Sequence, residues 1–583
     1  LTAQRSPRDA LRLDALVLAL CVTLLVSWFA AWPAFLPPAL PALALFAAAA
    51  YRMRGAWPGL PRPRAETLSC LALAVLYRAG ALLYPWGFVN KDGAYGGFVA
   101  LHVQQGVRPA PVFTEGANYQ GTLKGHLGAL IGLVTGVEDL SWLIVAASVV
   151  LYLVFVAATM ALARRLGGRA AAWAAGLYLA VSPRFLTVFS LNSVGQYVDV
   201  LALGGLALAL LARLLDEGRS GRDARWPYVA LGAVLGAAFW QQPVALGYWL
   251  VAVAALVLRP QRRDPWTLAT LLGLVLGLLP VLLWNARNDW ASSFILGREG
   301  GDVQAQVAVL PRLAERTLTV AFPVLAGLSP RHPQAGWPLV RTLAVWAFPT
   351  LLAAYLVLKR KELGAALRGR GPATALLPVL LMTANLALVW AVAAGSVYRR
   401  PRYLLPVIAA SAVHLGVAAA AAWARPWLRG PAALALGAVL TFHAVGTLPR
   451  LAEARLITQE YRRLITALER LGIRTAYSDF SIAAPVTMFT RERILVSPRL
   501  GPTPAYESAS LARRVDGPGP DAYILPPGDD PELFAAELRR HGVAYERVLE
   551  PLPIFYALVP RIRAEEVRGF RGETPPPLAA ADE

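Results

Sequence analysis

The sequence predicts a polytopic α-helical membrane protein with a C-terminal extracytoplasmic α/β domain. Three observations predict it. Hydrophobic residues make up 57% of the 583 and charged residues only 16%, where a soluble protein carries about 25% charge. About 13 apolar runs approach the ~20 residues that a helix needs to cross a bilayer. The formal charge of +20 is unevenly spread: residues 1–447 hold 38 basic and 17 acidic side chains, whereas 448–583 hold 18 and 19. This composition excludes a soluble multidomain enzyme and a disordered chain. The basic excess belongs to the apolar part, where it marks cytoplasmic loops, so no nucleic-acid partner is expected. Cys21 and Cys70 sit in apolar runs and the six histidines are scattered, which offers neither a disulfide framework nor a Cys-based metal site.

The spans lie near 13–33, 38–51, 66–87, 141–163, 170–182, 198–215, 227–240, 244–258, 266–284, 340–358, 373–395, 403–423 and 431–447. The first is longer than a signal-peptide core and lacks a small-x-small cleavage site, so it reads as an anchor. With Arg5, Arg8 and Arg12 cytoplasmic, alternate loops carry Arg52–Arg64, Arg164/Arg165/Arg169, Arg213–Arg225, Arg259–Arg263, Lys359–Arg370 and Arg425/Arg429. Every basic cluster but one falls on that side. The odd span count then places 448–583 outside, and residues 1–447 form the transmembrane domain. Its long outer loops are 88–140 and 285–339, with a shorter one at 183–197; the apolar stretch Leu310–Leu328 is expected to lie in the membrane interface. Residues 448–583 alternate helix and strand patterns: helix 454–471, strand 475–477, helix 481–489, strand 493–496, strand 522–525, helix 531–541 behind a capping Asp530, and strands 544–549 and 554–559, then a loose tail. No glycine-rich nucleotide motif occurs there.

Polar residues gather at the outer ends of the spans. Asp92, in Asn90-Lys-Asp-Gly-Ala-Tyr95, opens a helical segment. It reads either as an N-cap or as a carboxylate general base whose pKa partial burial would raise. Glu115, Tyr119 and Lys124 share the same loop. Glu115 and Lys124 make either a solvated ion pair or a second acid and a phosphate contact. Arg399, Arg400, Arg402 and Tyr403 form the single basic cluster on the outer side. The arginines either snorkel to headgroups or bind a lipid phosphate through their planar forks. Arg184, Tyr197 and Asp199 lie in a polar stretch between two spans, where Arg184 can pair with Asp199. Gln241-Gln242-Pro243 bends another junction at that face. Asn385, His414 and His443 lie inside spans and read as interhelical hydrogen-bond donors.

Taken in order, several stretches resemble integral-membrane glycosyltransferases of the GT-C fold, in the branch of bacterial relatives of the dolichyl-phosphate-mannose protein mannosyltransferases, family 39. They are Lys91-Asp-Gly-Ala-Tyr95, Asn118-Tyr-Gln-Gly-Thr-Leu123, Ser182-Pro-Arg-Phe-Leu186, Gly195-Gln-Tyr-Val-Asp199, Phe239-Trp-Gln-Gln-Pro243, Gly277-Leu-Leu-Pro-Val-Leu-Leu-Trp-Asn285 and Arg402-Tyr-Leu-Leu-Pro406. The resemblance implies an inverting transferase in the bacterial inner membrane that moves a sugar from a polyprenyl phosphate to an acceptor hydroxyl on a glycan, lipid or protein. Asp92 would be the base, and Arg399, Arg400, Arg402 and Lys124 would meet the leaving phosphate. Many relatives carry a paired acidic motif where this chain has Asp92-Gly93, so no metal ligands are assigned and a divalent metal ion is left open as cofactor. Two other classes stand beside this reading: a transporter or lipid flippase, and a non-catalytic assembly scaffold. Membrane lipids are partners in every case.

Overall fold

The computed structural model describes residues 65–567, apart from 108–110, 115–116, 193, 218–224, 259–264, 293–302, 329–334, 372, 393–400, 501–508 and 517–518. The first two expected spans, Glu115, Arg399, Arg400 and the C-terminal tail lie outside the described residues. Among the described residues, each of the other eleven expected spans is largely helical. Eight helices among the described residues are long and apolar enough to cross a membrane.

Helix α1 (Ala65–Leu83) is followed by α2 (Lys91–Gln104), a β1–β2 hairpin (Phe113–Thr114, Ala117–Gly121) and α3 (Leu123–Thr135). Helix α4 (Leu140–Ala180) has 41 residues, about 60 Å if straight, twice the thickness of a bilayer's apolar core. It is not straight. Gly168 sits at φ +74°, a left-handed conformation that glycine tolerates. The Tyr152 hydroxyl donates 2.7 Å to the Leu179 carbonyl, and Gly176 abuts Met160. The two arms therefore fold back antiparallel, as the paired expectations 141–163 and 170–182 require.

Next come α5 (Arg184–Leu191), α6 (Tyr197–Glu217), α7 (Arg225–Gln241), α8 (Leu246–Val257) and α9 (Ala269–Arg287). Helices α7 and α9 pack through Gly232 and Gly236 on one and Gly273 and Gly277 on the other. A methyl at Gly232 would run into the Thr270 carbonyl, and one at Gly236 would sit 2.9 Å from the Gly277 backbone. Small residues four apart let membrane helices approach backbone to backbone. Helix α10 (Val303–Arg316) continues through a π-helical turn into Phe322–Leu325. Leu313, Phe322 and Leu325 are buried in the bundle core, and Phe322 packs 5.0 Å from Phe348 between ring centres.

Helices α11 (Pro338–Leu358), α12 (Leu377–Val392) and α13 (Leu405–Trp423) complete the bundle. The expectation for the intramembrane polar residues holds for one of three. His443 reaches the Val181 carbonyl at 2.9 Å. Asn385 donates within its own helix to Leu381, and both His414 ring nitrogens lack a hydrogen-bond partner.

Helix α14 (Arg429–Arg470) runs 42 residues without a break past position 448. Beyond it come β3 (Thr475–Tyr477), α15 (Phe480–Phe489), β4 (Leu495–Ser497), α16 (Ala509–Asp516), β5 (Ala522–Ile524), α17 (Pro531–Arg540), β6 (Ala544–Val548) and β7 (Ile554–Val559). The sheet order is β4-β3-β5-β7-β6. Strand β3 is parallel to β4 and β5, and β7 is antiparallel to β5 and β6. Asp530 caps α17 as expected, accepting from the Glu532 amide at 2.8 Å. Helix α16 was not expected from the sequence. Leu464, Ile465 and Leu468 at the end of α14 share a core with Ala476, Ile482 and Val496, so helix and sheet are one packed body.

Candidate functional site

The site starts from how α2 begins. Its N-cap is Asn90, whose side-chain oxygen accepts the Gly93 amide at 2.9 Å. The capping role open to Asp92 is thus taken two residues earlier, and Asp92 sits in the first turn with its carboxylate free for other work. Burial pushes that carboxyl above its ordinary 3.8, while the charges of Lys91 and Arg402 pull it back. The charge of Arg402, in the turn before α13, thus reaches Asp92.

Lys124, in the first turn of α3, is fully buried and its Nζ lies 3.2 Å from Asp199 Oδ2, equally buried in the first turn of α6. Asp199 thus takes Lys124 and not Arg184, which faces Glu453; Glu115 lies outside the described residues. The fold places the Lys124–Asp199 pair. Thr122 ties the start of α3 to the β1 end through the Pro111 carbonyl at 2.7 Å, and Gln241 at the end of α7 accepts the Leu123 amide at 3.1 Å. Gly121 leaves room for the Gln241 side chain. Asp199 Oδ1 and Gln241 Nε2 are buried without a hydrogen-bond partner, and such atoms invite a polar ligand.

An aromatic and cationic wall stands beside this pair. The Arg402 guanidinium lies 5.9 Å from the Tyr197 ring centre and 5.7 Å from that of Tyr403, within cation–π range. The two tyrosine rings are 6.2 Å apart. Tyr119 on β2 and the Gln242 side chain also meet Tyr197. Tyr197 packs edge-on against Phe189 at 5.8 Å. So Asp92, Lys124, Asp199, Gln241, Tyr119, Tyr197, Arg402 and Tyr403 come together at one end of the bundle.

Arg184 does not join them directly. It binds the Gly446 carbonyl at 3.3 Å and faces Glu453 at 3.6 Å. With Arg450, Phe185 and Val324 it lines a cleft of about 330 Å³ on the far side of Phe189.

Two residues were missed. Lys91 is one; its position beside Asp92 was the available signal. Arg78 is the other, an arginine in an apolar run. It is wholly buried, donates 2.7 Å to Ser182 and 3.1 Å to Ser190, and lies 3.6 Å from the Tyr152 ring centre. It braces the helices behind the site.

A divalent cation takes several oxygen ligands. Among the described residues no three acidic, histidine or cysteine side chains converge on one point.

No family model and no curated protein matches this sequence. Solved structures do. The chain is similar to ArnT from Cupriavidus metallidurans bound to undecaprenyl phosphate, with 15% identity, 82% of this chain and 97% of the other covered, and a TM-score of 0.51. Looser likenesses, on which no argument is built, are to apo ArnT from the same organism (15% identity, 86% and 99% covered, TM-score 0.47) and to the archaeal oligosaccharyltransferase AglB from Archaeoglobus fulgidus in complex with an inhibitory peptide and a dolichol-phosphate (13%, 84% and 74%, 0.46). At these identities the likeness is one of fold: a multi-pass membrane protein with the GT-C fold.

Proposed function

We propose that this GT-C chain is an inverting glycosyltransferase that moves a sugar from a polyprenyl phosphate to an acceptor hydroxyl on a glycan, lipid or protein. The observation that carries the reading is the Asp92 carboxylate, which does not cap its helix, is half-buried within reach of the Arg402 charge, and is raised above its ordinary pKa. In this reading residues 1–447 form the catalytic membrane domain and 448–583 an extracytoplasmic one. The protein sits in a bacterial inner membrane with its N-terminus in the cytoplasm. The ArnT neighbour with bound undecaprenyl phosphate supports the lipid class of the donor.

Asp92 takes the acceptor hydroxyl proton as its oxygen attacks the anomeric carbon from the face opposite the phosphate. The new glycosidic bond forms as the bond from that carbon to the phosphate oxygen breaks, inverting the centre. The lipid phosphate leaves with the electron pair. Arg402, with Arg399 and Arg400 next to it in sequence, and Lys124 stabilise the charge that develops there; such fixed charges act strongly where water is scarce. Tyr197, Tyr403, Tyr119, Gln241 and Asp199 shape and orient the pocket.

Native mass spectrometry of the protein in mild detergent tests this. A polyprenyl phosphate or its glycoside should travel with the wild type and with Asp92→Asn, and be lost from the Arg399/Arg400/Arg402→Ala triple variant. Bulk phospholipid alone, equal in all three, would overturn the lipid assignment and favour a transporter or scaffold.

A further inference from the structure

One face of α2 is held by the C-terminal α/β unit along its whole length. Lys91, Tyr95, Phe98 and His102 recur at the helical spacing that lines one face. Lys91 Nζ lies 5.0 Å from the centre of the Phe480 ring, and Tyr95 meets the same ring at 5.9 Å. Phe98 sits edge-on to Tyr95 at 5.7 Å and stacks on His102 at 6.5 Å. His102 Nε2 contacts Glu492 Oε1 at 2.9 Å. Arg514 holds the other oxygen of Glu492 at 2.6 Å. Gly97 leaves room for Met488 of α15. Across the helix, Gly125 of α3 abuts Gly96 and Val99, and a methyl there would sit 2.9 Å from the Gly96 carbonyl. The helix is thus gripped between α15 and α3, with Phe480 on the turn that carries Asp92.

We propose that the C-terminal α/β unit is a positioning element for Asp92, with Phe480 as the pin that sets the rotation and axial register of α2. This rests on the reading of Asp92 as the base. Phe480 touches Lys91 and Tyr95 and acts through the helix, so it is a positioning residue. The geometric stakes are high, because a shift of about 1 Å in a catalytic group can cost about a hundredfold in rate.

The test uses the full-length protein in lipid nanodiscs and compares wild type, Phe480→Ala, Phe480→Tyr and Arg547→Ala. Arg547 pairs with Glu532 at 2.6 Å within the C-terminal unit. Amide deuterium exchange is read across residues 91–104 and across α1. Carbodiimide labelling of Asp92 is followed by peptide mass spectrometry against pH. Phe480→Ala should speed exchange in α2 at least tenfold with α1 unchanged. The pH midpoint of Asp92 labelling should fall as the carboxyl gains water. Phe480→Tyr, which keeps the ring, should restore both, and Arg547→Ala should match wild type. Unchanged α2 exchange and labelling in Phe480→Ala would overturn the proposal, as would an equal rise in α1 and α2, or the same effect from Arg547→Ala. If Phe480→Ala does not fold, Phe480→Leu takes its place under the same criteria. Neither readout depends on turnover, so failure here is distinct from failure of Asp92 as the base, which the turnover of Asp92→Asn decides.

Discussion

Asp92→Asn keeps the shape of the side chain and removes its basicity, so turnover should fall about 10²–10⁴-fold while bound lipid is retained. Because burial raises the carboxyl above 3.8 and the active form is the carboxylate, turnover should drop as pH falls through that raised value. The acid limb of the pH–rate profile then lies above the ordinary aspartate range, and a limb at 3.8 or below would remove Asp92 from the role. Lys124 and Asp199 make a different demand. Both are fully buried, so removing one leaves the other charged and unpaired, at a cost of about 3–5 kcal/mol. Lys124→Met should lower stability by that amount in a denaturant titration, and Lys124→Met with Asp199→Leu should recover most of it. Asp92, Lys124, Asp199 and Arg402 were legible in the sequence because each interrupts or borders an apolar run. Their partners were not. Lys124 and Arg184 each had a nearer acid in the chain, and only the fold brings Asp199 to Lys124 and Glu453 to Arg184.

At the level of elements, glycines set distances. Gly273→Ala would press a methyl into the Val229 carbonyl, and such overpacking costs about 1–3 kcal/mol. The variant should melt earlier in detergent with its lipid still bound, because α7 and α9 meet away from Asp92. Gly125→Ala should do the reverse: it wedges α3 from α2, separating Lys124 from Asp92, so turnover should fall more than stability does. The spans themselves were readable from apolar run length. The fold-back at Gly168 was readable from the basic Arg164, Arg165 and Arg169 around it. Helix α16 was not, because its eight residues hold three charges and only two leucine or valine side chains, Leu511 and Val515, to mark a buried face.

Across the molecule, the membrane bundle and the C-terminal unit meet at α2, and Glu492 belongs to that seam. His102 and Arg514 hold its carboxyl down to about 2, against an ordinary 4.5. A depressed folded value stabilises above the unfolded one, so the contact is at full strength above pH 4.5 and is lost as pH falls towards 2. The protection of α2 amides, corrected for intrinsic exchange at each pH, should fall over that window in wild type, and this fall should vanish in Glu492→Gln.

Helix α14 joins the two halves as one rod of about 63 Å, its apolar first half among the spans and its last turns in the core of the sheet. A rod that long is a lever. Its one interior proline, Pro449, removes a backbone donor where the apolar half ends and so is the natural place to bend. A bilayer thinner than the apolar half makes the helix tilt. With no loop between the halves, tilt beyond what a bend at Pro449 takes up swings the sheet, α15 and finally the turn bearing Asp92. The thickness of the surrounding lipid thereby becomes a setting of the site, and catalytic rate in nanodiscs of graded acyl-chain length would read it out.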